Sequence, residues 1–151
     1  MMDEALEIKN AVKGYYDSWF HINKLYQDWA AAHGTQENIL FTLIELLENP
    51  QGCSHAFLCT ALFLPKQTVS FIVGRLEKQG FVTQERWHED HRTKLVRLTE
   101  KGAQYAAGLY NELETAELRA YGSLSSNQRE DITTGLRLLS GALEKSFKNQ
   151  T

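Results

Sequence analysis

Apolar residues recur at helical spacing from about residue 4 to residue 33, in the series Leu6, Ile8, Val12, Tyr15, Tyr16, Trp19, Phe20, Ile22, Leu25, Tyr26 and Trp29. That spacing predicts a long amphipathic helix, broken only at Gly14 and stopped by Gly34. Thr35 is placed to cap a second helix through Ile39, Leu40, Leu43, Ile44 and Leu47, which the Asn49-Pro50-Gln51-Gly52 turn ends. Ser54 is placed to cap a third, short helix through Phe57, Leu58, Ala61 and Leu62. Pro65 suits the first position of a fourth helix, over 65–79, where its missing N–H costs nothing. Within that helix Val69, Ile72, Val73 and Leu76 fall at i, i+3, i+4 and i+7, one buried stripe. Gln67, Ser70, Phe71, Gly74 and Lys78 lie on the opposite side, with Arg75 at the flank, and Gly80 ends the helix.

Beyond Gly80 the period changes. Residues 81–86 and 94–98 alternate as two strands, joined by the polar stretch 87–93. Thr99 then caps a long helix from 100 to about 121, and the segment 123–127 starts a last one through Ile132, Leu136, Leu139 and Leu143. The order predicts a mainly α fold with a small β-hairpin wing: a winged helix-turn-helix flanked by N- and C-terminal dimerisation helices. The second helix of such a pair enters the DNA major groove, where base edges differ. The hairpin tip reaches an adjacent minor groove, whose negative potential favours arginine. Double-stranded DNA is therefore the expected partner. One domain over 1–151 is expected, with 35–99 as the DNA-binding lobe and 1–34 with 100–151 as the dimerisation region. The first and last helices carry more apolar surface than one small lobe buries, so a homodimer is expected through Leu6, Val12, Leu136, Leu139 and Leu143.

A formal net charge of −3 argues at first against a nucleic-acid partner. Its distribution reverses that. Residues 65–102 hold eight basic side chains against five acidic ones, so the rest of the chain carries all of the acidic excess. A basic patch on an acidic body suits a DNA reader, because local charge meets the phosphates. No apolar run reaches the length of a membrane span, and residues 1–10 lack the basic-then-apolar order of a secretion signal, so a cytoplasmic location without membrane contact is expected.

Catalytic and metal chemistry find little to build on. There is no Gly-rich phosphate loop, nucleophile elbow or pair of catalytic carboxylates, so no enzyme and no cofactor are expected. Cys53 and Cys59 make neither a disulfide framework nor a four-ligand zinc site. Cys59, inside an apolar helix, reads as a buried small hydrophobe. Cys53, beside a turn and near a helix start, offers an alternative reading as an oxidant-sensing thiol of lowered pKa. His21, His33, His55, His88 and His91 form no i, i+4 pair on one helix, so no metal site is expected; His88 and His91 fall in the wing, near phosphate. A second alternative keeps the winged helix and replaces DNA by a protein partner.

The segment TVSFIVGRLEKQGFV, beginning at Thr68, followed by DHRTKLVRLTEKG, beginning at Asp90, resembles the recognition helix, wing and closing strand of the MarR (multiple antibiotic resistance regulator) family. Asp90-x-Arg92, with Leu98-Thr99-Glu100-Lys101-Gly102 after it, is the most specific part of the likeness, which extends over nearly the whole chain. The resemblance implies a homodimeric, ligand-responsive transcriptional regulator, usually a repressor. It implies that Lys66, Gln67, Thr68, Ser70 and Phe71 face the major groove and that Arg75 serves a phosphate or the groove wall. Lys78, on the same face, is expected at the phosphates. Arg92 would be the wing arginine, held by Asp90 through a charge-assisted hydrogen bond. It also implies a small aromatic or amphipathic effector between the dimer helices and the DNA-binding lobe, for which Tyr15, Trp19, Phe20 and Tyr26 are the candidate lining. Phe71 departs from the family pattern, where a basic or polar residue is usual; it suits a thymine methyl.

Overall fold

The computed structural model describes residues 2–87 and 89–149; the side chains of Met2, Asp90 and His91 also lie outside the described residues. Among the described residues six helices and three strands follow one another: α1 (Met2–Ala32), α2 (Glu37–Glu48), β1 (Cys53–Ser54), α3 (His55–Leu62), α4 (Lys66–Lys78), β2 (Val82–Trp87), β3 (Asp90–Leu98), α5 (Glu100–Gly122) and α6 (Ser126–Lys148). The chain divides into two compact units, residues 1–110 and 111–151. Among the described residues no single helix is long and apolar enough to cross a membrane.

In the first unit, α1 runs through Gly14 without a break, contrary to the expectation. One glycine costs a helix only about 1 kcal/mol, and a helix of 31 residues absorbs it. Gly34 does stop α1, at a φ of +75°. Its N–H donates to the Ala31 carbonyl at 3.1 Å and that of Thr35 to the Ala30 carbonyl at 2.9 Å, the double closure of a left-handed cap. Thr35 thus closes α1 and does not cap α2 as expected. Gln36 takes the N-cap position instead, extended and without a side-chain cap bond. Pro65 is likewise the N-cap of α4 rather than its first residue, and its carbonyl accepts from Val69 N–H at 3.1 Å.

The core of this unit collects Leu40, Leu43 and Leu46 of α2, Leu58 of α3, the α4 stripe Val69, Ile72, Val73 and Leu76, Val82 of β2, Val96 of β3 and Ala106 and Leu109 of α5. Each fully buried aliphatic side chain contributes about 1.5–3 kcal/mol by leaving water, and the stripe anticipated for α4 is wholly inside. The sheet has the order β1-β3-β2, all antiparallel, with Cys53 opposite Val96 and Val82 opposite Leu98. β1 was not anticipated, since two residues carry no readable alternation. The wing is also longer than expected: β3 begins at Asp90, not 94, and pairs Asp90 with Trp87 across a register shift after Arg86. Asp90 and Arg92 therefore stand on a strand rather than in a loop.

The Leu98–Gly102 segment is the clamp between α4 and α5. Gly80 ends α4 at φ +79°. Thr99 Oγ1 donates to the Gly80 carbonyl at 2.7 Å and accepts from Gly102 N–H at 3.0 Å. Thr99 N–H donates to the Phe81 carbonyl at 3.0 Å. Lys101 Nζ donates to the Gln79 carbonyl at 2.9 Å and lies 4.9 Å from the Phe81 ring centre, while Phe81 stacks on Tyr105 at 4.5 Å. Gly102 is required here. A Cβ on it would stand 1.9 Å from the Phe81 carbonyl oxygen.

In the second unit, the end of α5 and α6 are joined by a turn that Ser125 and Gln128 secure as a reciprocal capping box, at 3.1 and 2.9 Å. Arg129 adds bonds to the Tyr121 and Leu124 carbonyls. α6 buries no residue: Leu136 is exposed and Leu139 and Leu143 are half-buried.

Candidate nucleic-acid interface

α3 and α4 turn through 115° about Phe63, Leu64 and Pro65. Ser54 caps α3, accepting from Phe57 N–H at 3.0 Å, as expected. At the other end Phe63 takes the left-handed conformation, φ 53° and ψ 42°. That conformation costs a non-glycine residue about 1–2 kcal/mol. Cys59 carbonyl accepts from both Phe63 and Leu64 N–H, which holds the turn closed.

With its stripe buried, α4 presents Lys66, Gln67, Ser70, Phe71, Arg75 and Lys78 to solvent, and Thr68 is half-buried. Phe71 stands out at 66% exposure, because an aromatic ring on a free helix face has no packing reason to be there. Ser70, Phe71, Gly74, Arg75 and Lys78 line a shallow hollow of about 300 Å³. Its floor is Gly74, above which a Cβ would find no atom within 4 Å.

A second cleft, of about 410 Å³, is lined by Ser54, His55, Ala56, Lys66, Gln84, Arg92, Thr93 and Lys94. It joins the start of α3, the start of α4 and the wing. Lys66 and Arg92, 26 positions apart in sequence, thus share one surface. Of the residues singled out in the sequence, Lys66 and Arg92 meet here, and Ser70, Phe71, Arg75 and Lys78 meet in the hollow. His55, Gln84 and Lys94 were missed. Nothing local marks them, since their roles depend on the pairing of β2 with β3. His55 Nε2 lies 2.9 Å from Gln84 Oε1, and Gln84 Nε2 donates to Glu77 Oε1 at 3.4 Å. This chain of bonds ties α3, β2 and α4 together. The Asp90 side chain, His88 and the His91 side chain lie outside the described residues.

Arg97 is engaged otherwise. Its Nη2 donates to the Gln51 carbonyl at 2.8 Å and its Nη1 to Glu85 at 3.4 Å, so it anchors the root of the wing.

The oxidant-sensing reading of Cys53 is overturned. β1 places the residue at 2% exposure. Burial first, and then the Glu45 carboxylate, push its thiol up from 9.0 to about 11, the reverse of what a reactive cysteine requires. Cys59 is half-buried rather than fully inside. On α1, Tyr15 stacks on Trp19 at 6.2 Å and Trp19 meets Phe20 at 5.2 Å. Tyr26 instead packs on Phe41 of α2 at 5.6 Å. On α1, Leu6, Val12, Tyr16, Trp19, Phe20 and Leu25 are all exposed.

A model of the MarR family matches residues 40–93. An uncharacterized HTH-type transcriptional regulator of Bacillus subtilis (strain 168), YfiV, is 36% identical over 77 residues, which are 51% of this chain and 48% of that protein. The chain thus spans about half the length of this curated relative. Among solved structures, NMB1585, a MarR family regulator from Neisseria meningitidis, superposes with a TM-score of 0.82 over 93% of this chain and 99% of that one, at 21% identity. The S. aureus MepR–DNA complex superposes at 0.74 over 85% and 94%, at 18% identity. These two likenesses concern the fold.

Proposed function

We propose that the chain is a transcriptional repressor of the MarR type that grips a pseudo-palindromic operator as a homodimer and releases it when a small aromatic or amphipathic molecule binds. The observation that carries this reading is the convergence of Lys66 and Arg92 on one cleft beside the exposed face of α4. A recognition helix in the major groove and a wing in the next minor groove require that adjacency. In this reading Gln67, Thr68 and Ser70 meet base edges, Phe71 meets a thymine methyl, and Arg75 and Lys78 meet phosphates. Asp90 orients Arg92.

The exposed apolar faces of α1 and α6 support the homodimer. Leu6 is 57% and Leu136 54% exposed, and covering such side chains is favourable by about 25 cal/mol per Å². Leu6, Val12, Leu136, Leu139 and Leu143 are the proposed contacts. The ring row of Tyr15, Trp19 and Phe20, with Tyr26, is the proposed effector lining. An effector that prefers a dimer with misplaced recognition helices lowers operator affinity by its differential affinity for that state. Such a protein acts in the cytoplasm, on the chromosome.

Selection of duplexes from a random 30-base-pair library tests the reading, with sedimentation of the free protein. The expected result is an enriched two-fold sequence, bound with strong salt dependence, and a particle of about twice the 17.3 kDa chain mass at micromolar concentration. A clean monomer, or retention of no duplex at low salt, refutes it.

A further inference from the structure

We propose that the cleft between the start of α3, the start of α4 and β3 seats one phosphate of the DNA backbone, and that His55 is a ligand there which must be protonated, so that DNA binding takes up a proton. This rests on the DNA-binding reading above. Lys66 reaches the cleft from α4, and Arg92 and Lys94 from β3. Among the described residues no carboxylate lines it. Three cations around about 410 Å³ suit an oxyanion.

The hydrogen-bond chain decides what His55 offers. An ionised Glu77 only accepts, so the Gln84 amide must turn its NH₂ toward Glu77 and its carbonyl oxygen toward His55. The His55 Nε2 therefore carries the proton and donates to Gln84. In the neutral ring Nδ1 is then a bare lone pair, which a phosphate oxygen repels. In the imidazolium it is a second N–H, which donates to that oxygen. Lys66, Arg92 and Lys94 share the cleft with His55, and Glu77 reaches the ring only through Gln84. An entering phosphate favours the imidazolium and draws the proton on.

The test uses a random-sequence 30-base-pair duplex at low ionic strength, since a phosphate contact is independent of sequence. Affinity is measured by fluorescence anisotropy from pH 8 to pH 6 at constant salt, for the unaltered protein and for His55→Gln. Glutamine keeps a bond to Gln84 and does not titrate. The expected result is a gain of about tenfold or more on acidification for the unaltered protein, most of it lost in His55→Gln, with affinities within about threefold at pH 8. An equal pH dependence in both proteins overturns the proposal while leaving DNA binding intact. Absence of binding by the unaltered protein at every pH overturns the DNA-binding reading and the seat with it. Should His55→Gln not fold, the ring nitrogen resonances of His55 in the unaltered protein decide. Nδ1 protonated in the complex at pH 7 supports the seat, and Nδ1 unprotonated there refutes it.

Discussion

Replacing Arg92 by alanine isolates the contribution of the wing. Arg92 is exposed on β3 and lines the cleft with Lys66 and Lys94, while Arg75 and Lys78 line the hollow on α4. If each of these five cations displaces one counterion from the DNA, a dimer displaces ten, and log affinity falls with log salt with a slope of about −9. Arg92→Ala removes two of the ten. The slope should drop in magnitude by up to about 1.8. A fourfold rise in salt should then narrow the gap between the two proteins by about tenfold. At low salt the variant should bind about one hundredfold more weakly, as expected for two lost charge-assisted contacts of about 1.5 kcal/mol each. Sequence preference should hardly change, because a minor-groove arginine reads width and potential more than bases. Thermal stability should stay within about 0.5 kcal/mol, since the residue is outside the core. Anisotropy titrations of one operator at four salt concentrations supply the slope, and circular dichroism checks the fold. An unchanged slope and affinity with folding intact would mean that the wing does not touch DNA, and a protein partner would then become the better reading.

Two glycine substitutions should act in opposite directions. Gly102→Ala forces a Cβ to within 1.9 Å of the Phe81 carbonyl oxygen and should cost about 3 kcal/mol by chemical denaturation, as severe overpacking does; wild-type stability would disprove the clamp. Gly74→Ala meets nothing within 4 Å and should stabilise by about 1 kcal/mol, yet weaken operator binding if DNA approaches that hollow. The cysteines should differ in reactivity. At pH 8 iodoacetamide should modify half-buried Cys59 first, because only about one Cys53 thiol in a thousand is ionised when its pKa is about 11. The folded-state pKa of Cys53 lies above its ordinary 9.0, so its contribution to stability is complete below pH 9 and declines as pH rises toward 11. Mass spectrometry showing Cys53 modified first at pH 8 would contradict its placement in β1.

The readable parts of this chain were those whose cause lies within a few residues. Ser54 as a cap, Gly34 and Gly80 as helix ends and the Val69–Leu76 stripe all act over one or two helical turns, so spacing alone exposes them. Thr35 shows where such reasoning fails: the same residue serves as the end of one helix or the cap of the next, and only the closure onto Ala30 decides between them. Gly102 stood in plain view within a motif, but its reason is the carbonyl of Phe81, 21 residues earlier. Cys53 failed for the same cause. Next to a turn it looked exposed, and its pairing with Val96 buries it. The candidate interface divides along this line as well. The outward face of α4 follows from the helical period, so its residues could be named from spacing. His55 could not, because its partner Gln84 is 29 positions away, and the pair exists only once β2 lies along β3 and α3 has been capped beside it. Residues that bridge elements in this way decide how the wing stands against α4, and under the proposed function that geometry determines whether Lys66 and Arg92 can grip the same stretch of DNA backbone.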